Sequence, residues 1–217
     1  MSRLWDKGEP LDERILRYTA GEDHLLDGRL VTYDVRASTA HAQMLNAQGL
    51  LDDADCKAIA DGLAALADEH ARGEWTIELT DEDVHTALER RLTERVGDAG
   101  KRVHLGRSRN DQVLAALRLY LLDVAEEAAQ GATAVAEALD QLAQREGATA
   151  LPGYTHMQHA QPTTFGHYLM SLYDAIDRAS NQVEAAYAQA NVCDMGCGAC
   201  SGTSFKVDRN MVADLLG

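Results

Sequence analysis

Residues 106–112 read Gly106-Arg107-Ser108-Arg109-Asn110-Asp111-Gln112, a polar run directly ahead of a long apolar-periodic stretch. Two guanidiniums, a hydroxyl and a carboxamide at the mouth of a helix combine fixed positive charge, directional donors and backbone N–H groups without intrahelical partners. That set suits a carboxylate or phosphate ligand. The competing interpretation is an ordinary helix start with Ser108 or Asn110 as N-cap. A second polar island, Pro152 to Thr164, carries Thr155, His156, Gln158, His159 and Gln161 between two long helical patterns. Hydrogen-bonding and titratable groups pinned between rigid elements suit proton transfer. His156 stands out by its company, with Thr155 before it and Gln158 two places on, whereas His159 and His167 read as ordinary surface or structural histidines.

The elements that must position these islands are helical. Alanine is abundant and aromatic residues make up only 5% of the chain, which favours packed helices over a sheet. The first hundred residues read as shorter helices: about Leu11 to Tyr18, about Asp27 to Gln48, a helix capped by Asp52 or Asp53 and ended by Arg72-Gly73, and one opened by a Thr80–Asp83 capping box and running to about Val96. Gly97 to Lys101 is the expected boundary. Beyond it, Val113, Leu117, Tyr120, Val124, Ala128, Val135, Leu139 and Leu142 define one long bundle helix ended by Gly147. Phe165, Leu169, Leu172, Ile176, Ala179, Val183, Ala186 and Ala190 define a second, starting near Pro162 and expected to lie antiparallel to the first. A further helix begins near Asp208. The expected fold class is all-α, with a small N-terminal helical domain over 1–103 and an incomplete long-helix bundle over 104–217. Neither long apolar stripe can be covered by what this sequence supplies, which implies assembly or further chain.

Composition excludes several classes. The formal charge of −15 argues against a general nucleic-acid binder, which needs a basic face. The apolar runs are too short for a bilayer span and the start MSRLWDKGEP has no apolar signal region, so a cytoplasmic protein without membrane partners is expected. Lysine occurs only at 7, 57, 101 and 206 against 35 acidic residues, a balance compatible with a high-salt habitat or simply with an acidic cytosolic protein.

Taken together, the islands resemble the aspartase/fumarase superfamily and, within it, the argininosuccinate lyase family. The stretch His104 to Gln112 is similar to the first signature of that family, and Pro152 to Pro162 to the second, in the expected order. Supporting matches are Leu4-Trp5, Ser38 with Ala40-His41, Gly49-Leu50-Leu51, Glu82 to Thr86, Gly202-Thr203-Ser204 and Val207-Asp208-Arg209. The resemblance implies reversible β-elimination of argininosuccinate to arginine and fumarate, with no metal or organic cofactor, in a homotetramer whose active sites are shared between subunits. It implies Ser108, Arg109, Asn110, Thr155 and Gln158 as substrate contacts, His156 as the acid that protonates the leaving nitrogen, Thr155 beside it in the catalytic pair, and Asp83 and His85 as supporting groups. Leu105 stands where the family usually has Thr, and Gly21 where relatives place a substrate-contacting Ser. The family's Gly-Ser-Ser loop, which supplies the base, does not occur among the 217 residues. By itself this chain is therefore expected to be inactive. Two other functions compete: a non-catalytic scaffold that retains the lyase architecture, and an iron–sulfur or metal-binding protein using Cys193, Cys197 and Cys200, spaced C-x3-C-x2-C.

Overall fold

A computed structural model describes residues 12–217. The Leu4-Trp5 match and the start of the first expected helix lie outside them. The helices are α1 (Glu13–Ala20), α2 (Asp23–Leu26), α3 (Val31–Ala47), α4 (Asp53–Ala71), α5 (Val84–Val96), α6 (Asp98–Lys101), α7 (Arg109–Glu146), α8 (Phe165–Ala190) and α9 (Arg209–Leu216). A two-stranded sheet of β1 (Ala150–Thr155) and β2 (Gln158–Thr164) lies between α7 and α8. The all-α class holds, with one hairpin added.

Short oxygen-bearing side chains start most of these helices, because they accept from backbone N–H groups that have no carbonyl partner in the first turn. Asp12 accepts from the amide of Arg14, Asp52 from Asp55, Asp83 from Thr86, Thr164 from His167 and Asp208 from Met211. The cap of α5 is thus Asp83 and not Thr80, whose hydroxyl bonds the Glu78 carboxylate instead. The helix expected from Asp27 opens as a 3-10 turn, Asp27–Leu30, before α3. The start expected near Pro162 falls at Phe165, since Pro162 is held in β2.

The described residues divide into two compact units, 12–120 with 193–217, and 121–192. In the first, α3, α4 and α5 enclose a core of Val31, Met44, Leu45, Ile59, Leu63, Leu66, Val84, Leu88 and Leu92, joined by Met195 and by Val212 from α9. Each such aliphatic side chain contributes about 1.5–3 kcal/mol by leaving water. The segment expected as a domain boundary is the short helix α6, laid against α5. There, a β-carbon on Gly100 would stand 2.8 Å from the Thr93 Cα and 2.9 Å from its amide nitrogen. Backbone cannot yield as a flexible side chain can. Gly100→Ala is therefore expected to cost about 2 kcal/mol and to lower Tm by roughly 4–8 °C in a chain of this size.

In the second unit, β1 pairs antiparallel with β2, Ala150 opposite Thr164 and Thr155 opposite Gln158, with an irregularity between Pro152 and Tyr154. The second polar island is thus carried on a β-hairpin. Leu121, Val124 and Val135 of α7 and Leu172 of α8 are exposed, in line with stripes this chain cannot cover alone. Among the described residues no helix is long and apolar enough to cross a membrane.

Candidate active site

In the first unit, the head of α7 is built on reciprocal capping. Ser108 Oγ accepts from the Asn110 amide at 3.2 Å, while Asp111 Oδ2 accepts from the Ser108 amide at 3.0 Å. Ser108, not Asn110, is the cap, and Asp111 takes the acidic place of a capping box. The same Asp111 oxygen accepts from the Gly198 amide at 3.0 Å, so one buried carboxylate holds both the signature and the Cys193–Cys200 turn. Asp111→Ala removes two charge-assisted bonds at once. It is expected to cost about 2–3 kcal/mol and to speed alkylation of Cys197, measured by mass spectrometry against Cys56 as internal reference.

Arg109 is committed within the fold: Nη2 donates to Glu89 Oε2 at 3.0 Å and Nη1 to Gln112 Oε1 at 3.2 Å. His104 Nε2 lies 2.8 Å from the same Glu89 oxygen. Burial opposes ionisation of Glu89, but His104 and the two arginines hold its carboxyl below the usual range. Arg107 lies deeper. Its Nη1 donates to Ser38 Oγ at 3.1 Å, and Nε and Nη2 are buried without a partner among the described residues. Burial pulls this guanidinium down to about 10, so the inner arginine sits in a poorly solvated place while the outer face of the turn presents Ser108 and exposed Asn110.

Asp83 caps α5, and His85, the second residue of that helix, is buried with Nδ1 2.7 Å from Asp34 Oδ2. Asp34 is fully buried in α3. Burial would raise its pKa, but the hydrogen bond and charge of His85, the charge of Arg107 and the Gln112 amide bring it down to about 2. Asp34, Glu89 and Asp111 are the groups that sequence reasoning missed as site-builders. For Asp34 the signal was available: an acidic residue beside Tyr33 and one turn before Ala37 and Ser38 interrupts an otherwise apolar helix face.

In the second unit, Thr155, His156 and Gln158 sit at the exposed tip of the β1–β2 hairpin. His156 and Met157 form its turn with φ of 50° and 61°. Two consecutive non-glycine residues in the left-handed region are strained, and Met157 is 92% exposed. Tyr154 and His159 share a 2.6 Å contact between the phenol oxygen and Nε2 across the strands, which braces the tip from below.

Among the described residues no group of three His, Cys, Asp or Glu side chains could hold a metal ion. Cys197 Sγ accepts from Arg209 Nη2 at 3.1 Å, Cys200 is exposed, and burial pushes the Cys193 thiol up. Positive φ at Gly196, Gly198, Ala199 and Cys200 makes the segment a tight turn of small residues.

A protein-family model described as Lyase matches residues 12–217, and the chain belongs to that family. Among curated relatives, the argininosuccinate lyase of Sorangium cellulosum is 45% identical over 215 residues, 99% of this chain and 50% of that protein. That of Nitrosomonas europaea is 43% identical over 209 residues, 96% and 45%. The chain spans about half the length of the curated relatives it matches. Of solved structures, an EDDS lyase variant with bound fumarate aligns with a TM-score of 0.77 at 27% identity, covering 95% of this chain and 41% of that one. A 3-carboxy-cis,cis-muconate lactonizing enzyme from Pseudomonas putida shares the fold at a TM-score of 0.66 and 24% identity, covering 94% and 46%.

Proposed function

We propose that this chain supplies two of the active-site segments of an argininosuccinate lyase of arginine biosynthesis, in a cytoplasmic homotetramer with shared sites, and that its domains are residues 1–103 and 104–217. The observation that carries the reading is the reciprocally capped head of α7, which aims Ser108 and Asn110 outward from a helix N-terminus. The relatives named above support the choice of substrate.

β-Elimination breaks the bond between a succinyl carbon and a guanidino nitrogen after a proton leaves the neighbouring carbon. Charge then accumulates on the carboxylate as an aci-form, and donors fixed in advance stabilise it without reorganising. Ser108 and Asn110 serve as those donors, with α7's first turn adding its partial positive charge. Arg109, clamped by Glu89 and Gln112, contributes its field and one face rather than a swinging side chain. Thr155 and Gln158 contact substrate from the hairpin tip, and His156 protonates the leaving nitrogen, directly or through water. Asp83 and His85 support the first segment. No cofactor is required by this chemistry, and the carbon base is assigned to no residue of this chain.

The test is to join this chain in frame to the unmatched half of the Sorangium cellulosum enzyme and follow fumarate absorbance on argininosuccinate. The chimera is expected to be active, and His156→Asn to lower kcat by about 100-fold or more with Tm unchanged. A folded, tetrameric chimera that leaves argininosuccinate intact would overturn the assignment.

A further inference from the structure

The geometry points to Asp34 as a positioning residue for the first signature: through Gln112 and through Ser38 it holds Arg109 and Arg107, and so fixes where Ser108 and Asn110 stand. Its functional meaning rests on the lyase reading, while its structural content is confined to the first unit.

Asp34 Oδ1 accepts from Ser38 Oγ at 2.8 Å and from Gln112 Nε2 at 2.9 Å, and Oδ2 lies 2.7 Å from His85 Nδ1 and 2.8 Å from Gln112 Nε2. An ionised carboxylate is acceptor-only, and here it meets donors from α3, α5 and α7. Two relays leave this hub. Gln112 donates to Asp34 at one end of its carboxamide and accepts from Arg109 at the other. Ser38 donates its proton to Asp34 and accepts from Arg107. Both arginines of the signature therefore terminate on a residue more than 70 positions earlier in the chain. The Gln at 112 has a chemical reason. Glutamate there would set a second carboxylate against Asp34, and an apolar residue would leave both Asp34 and Arg109 short of a partner.

The polarity of the relay makes it testable in the chain itself by amide hydrogen exchange. Asp34→Asn turns an NH2 group toward donors, so exchange of the Ser108 and Asn110 amides is expected to accelerate about tenfold, the worth of roughly one buried hydrogen bond, while amides around Ile59 and Leu63 in α4 stay within about twofold. Gln112→Glu should reproduce the effect. The double variant Asp34→Asn/Gln112→Glu reverses the polarity of the pair, with the new amide donating to the new carboxylate. It is expected to return exchange at α7's head to within about threefold of the parent. Uniform acceleration through α3, α4 and α5, or a folded double variant no better than the single ones, would overturn the positioning role. If Asp34→Asn does not fold, Gln112→Glu against the double variant decides the same question. In the chimera, local loosening with no argininosuccinate cleavage by the parent would keep the positioning role and sink the lyase reading. Cleavage by the parent that neither single variant alters in kcat or KM would sink the positioning role alone.

Discussion

Replacing Asp81 by alanine is expected to lower the unfolding free energy by about 3 kcal/mol, and Tm by roughly 6–12 °C for a chain of this size. Asp81 is 2% exposed, yet it carries three donors: Arg90 Nε at 2.9 Å, Arg91 Nη1 at 3.0 Å and the Glu78 amide at 3.1 Å. Burial works against its ionised form, but these bonds and the arginine charges hold the carboxyl below its ordinary range. Removing it leaves the Arg91 guanidinium half-served, since Nη2 keeps the Thr76 carbonyl and the group remains 4.4 Å from the Trp75 ring centre. Arg90, more exposed and also bonded to Glu94, turns to solvent at little cost. The loss therefore comes mainly from Arg91 and the Glu78 amide. Asp81→Asn, which keeps the shape and one acceptor, should lose about half as much. Urea denaturation of the three proteins checks the order; equal stability of Asp81→Ala and the parent would show that these bonds contribute nothing net.

The same residue shows what can and cannot be read from sequence. Helix starts were legible because capping is local: Asp52, Ser108 and Asp208 stand at the junction of turn and apolar period and do there what their oxygens allow. Thr80–Asp83 misled because, of four acidic or hydroxyl residues in succession, Thr80, Asp81 and Asp83 all qualify as caps. Tertiary demand decides among them, since Asp81 is drawn inward by two arginines of α5 and Asp83 is left to cap. The hairpin was illegible for another reason. Its strands are almost wholly exposed, so no buried face imposes a period of two. Pro152 and Pro162 stand opposite each other without N–H donors, and His156-Met157 occupies a turn that sequence rules reserve for Asn-Gly. For the site, the side chains facing outward at α7's head could be named in advance. For those that hold it from behind the partners could not: Asp34 is visible as a polar break in an apolar helix face, but Asp34, Glu89 and Gln112 bind over 20 to 78 residues of separation, and no spacing rule spans that.

Stability is expected to fall on mild acidification, well before ordinary carboxylates titrate, and His41 is the reason. It is 1% exposed in α3, with Nε2 donating to the Leu105 carbonyl at 2.9 Å and Nδ1 buried without a partner among the described residues. Burial first, then the positive charge of Arg107, pushes its pKa from 6.5 down to about 3. The folded state thus holds the neutral ring, while the unfolded chain takes up a proton below about pH 6.5. Between those limits the unfolded state binds more protons, so stability falls with decreasing pH by about 1.4 kcal/mol per unit, on the order of 4 kcal/mol by the time pH nears 3.5. Burial moves His70 and His104 in the same direction. Asp34, held down to about 2, has the opposite folded preference and the same outcome: its stabilisation is complete above the ordinary aspartate pKa near 4 and is lost only as pH falls from there toward 2. The histidine phase and the carboxylate phase are therefore separable. His41→Gln can still donate to the Leu105 carbonyl but cannot titrate, so Tm between pH 6.5 and 4.5 should lose most of its slope, the remainder belonging to His70 and His104, while the loss below pH 4 remains. Because His41 grips the carbonyl that precedes Gly106-Arg107-Ser108, the acid phase should be felt first at α7's head, with the Ser108 amide losing exchange protection before α4 does. A variant whose Tm still follows the parent's slope through pH 6.5–4.5 would assign the acid lability to other groups.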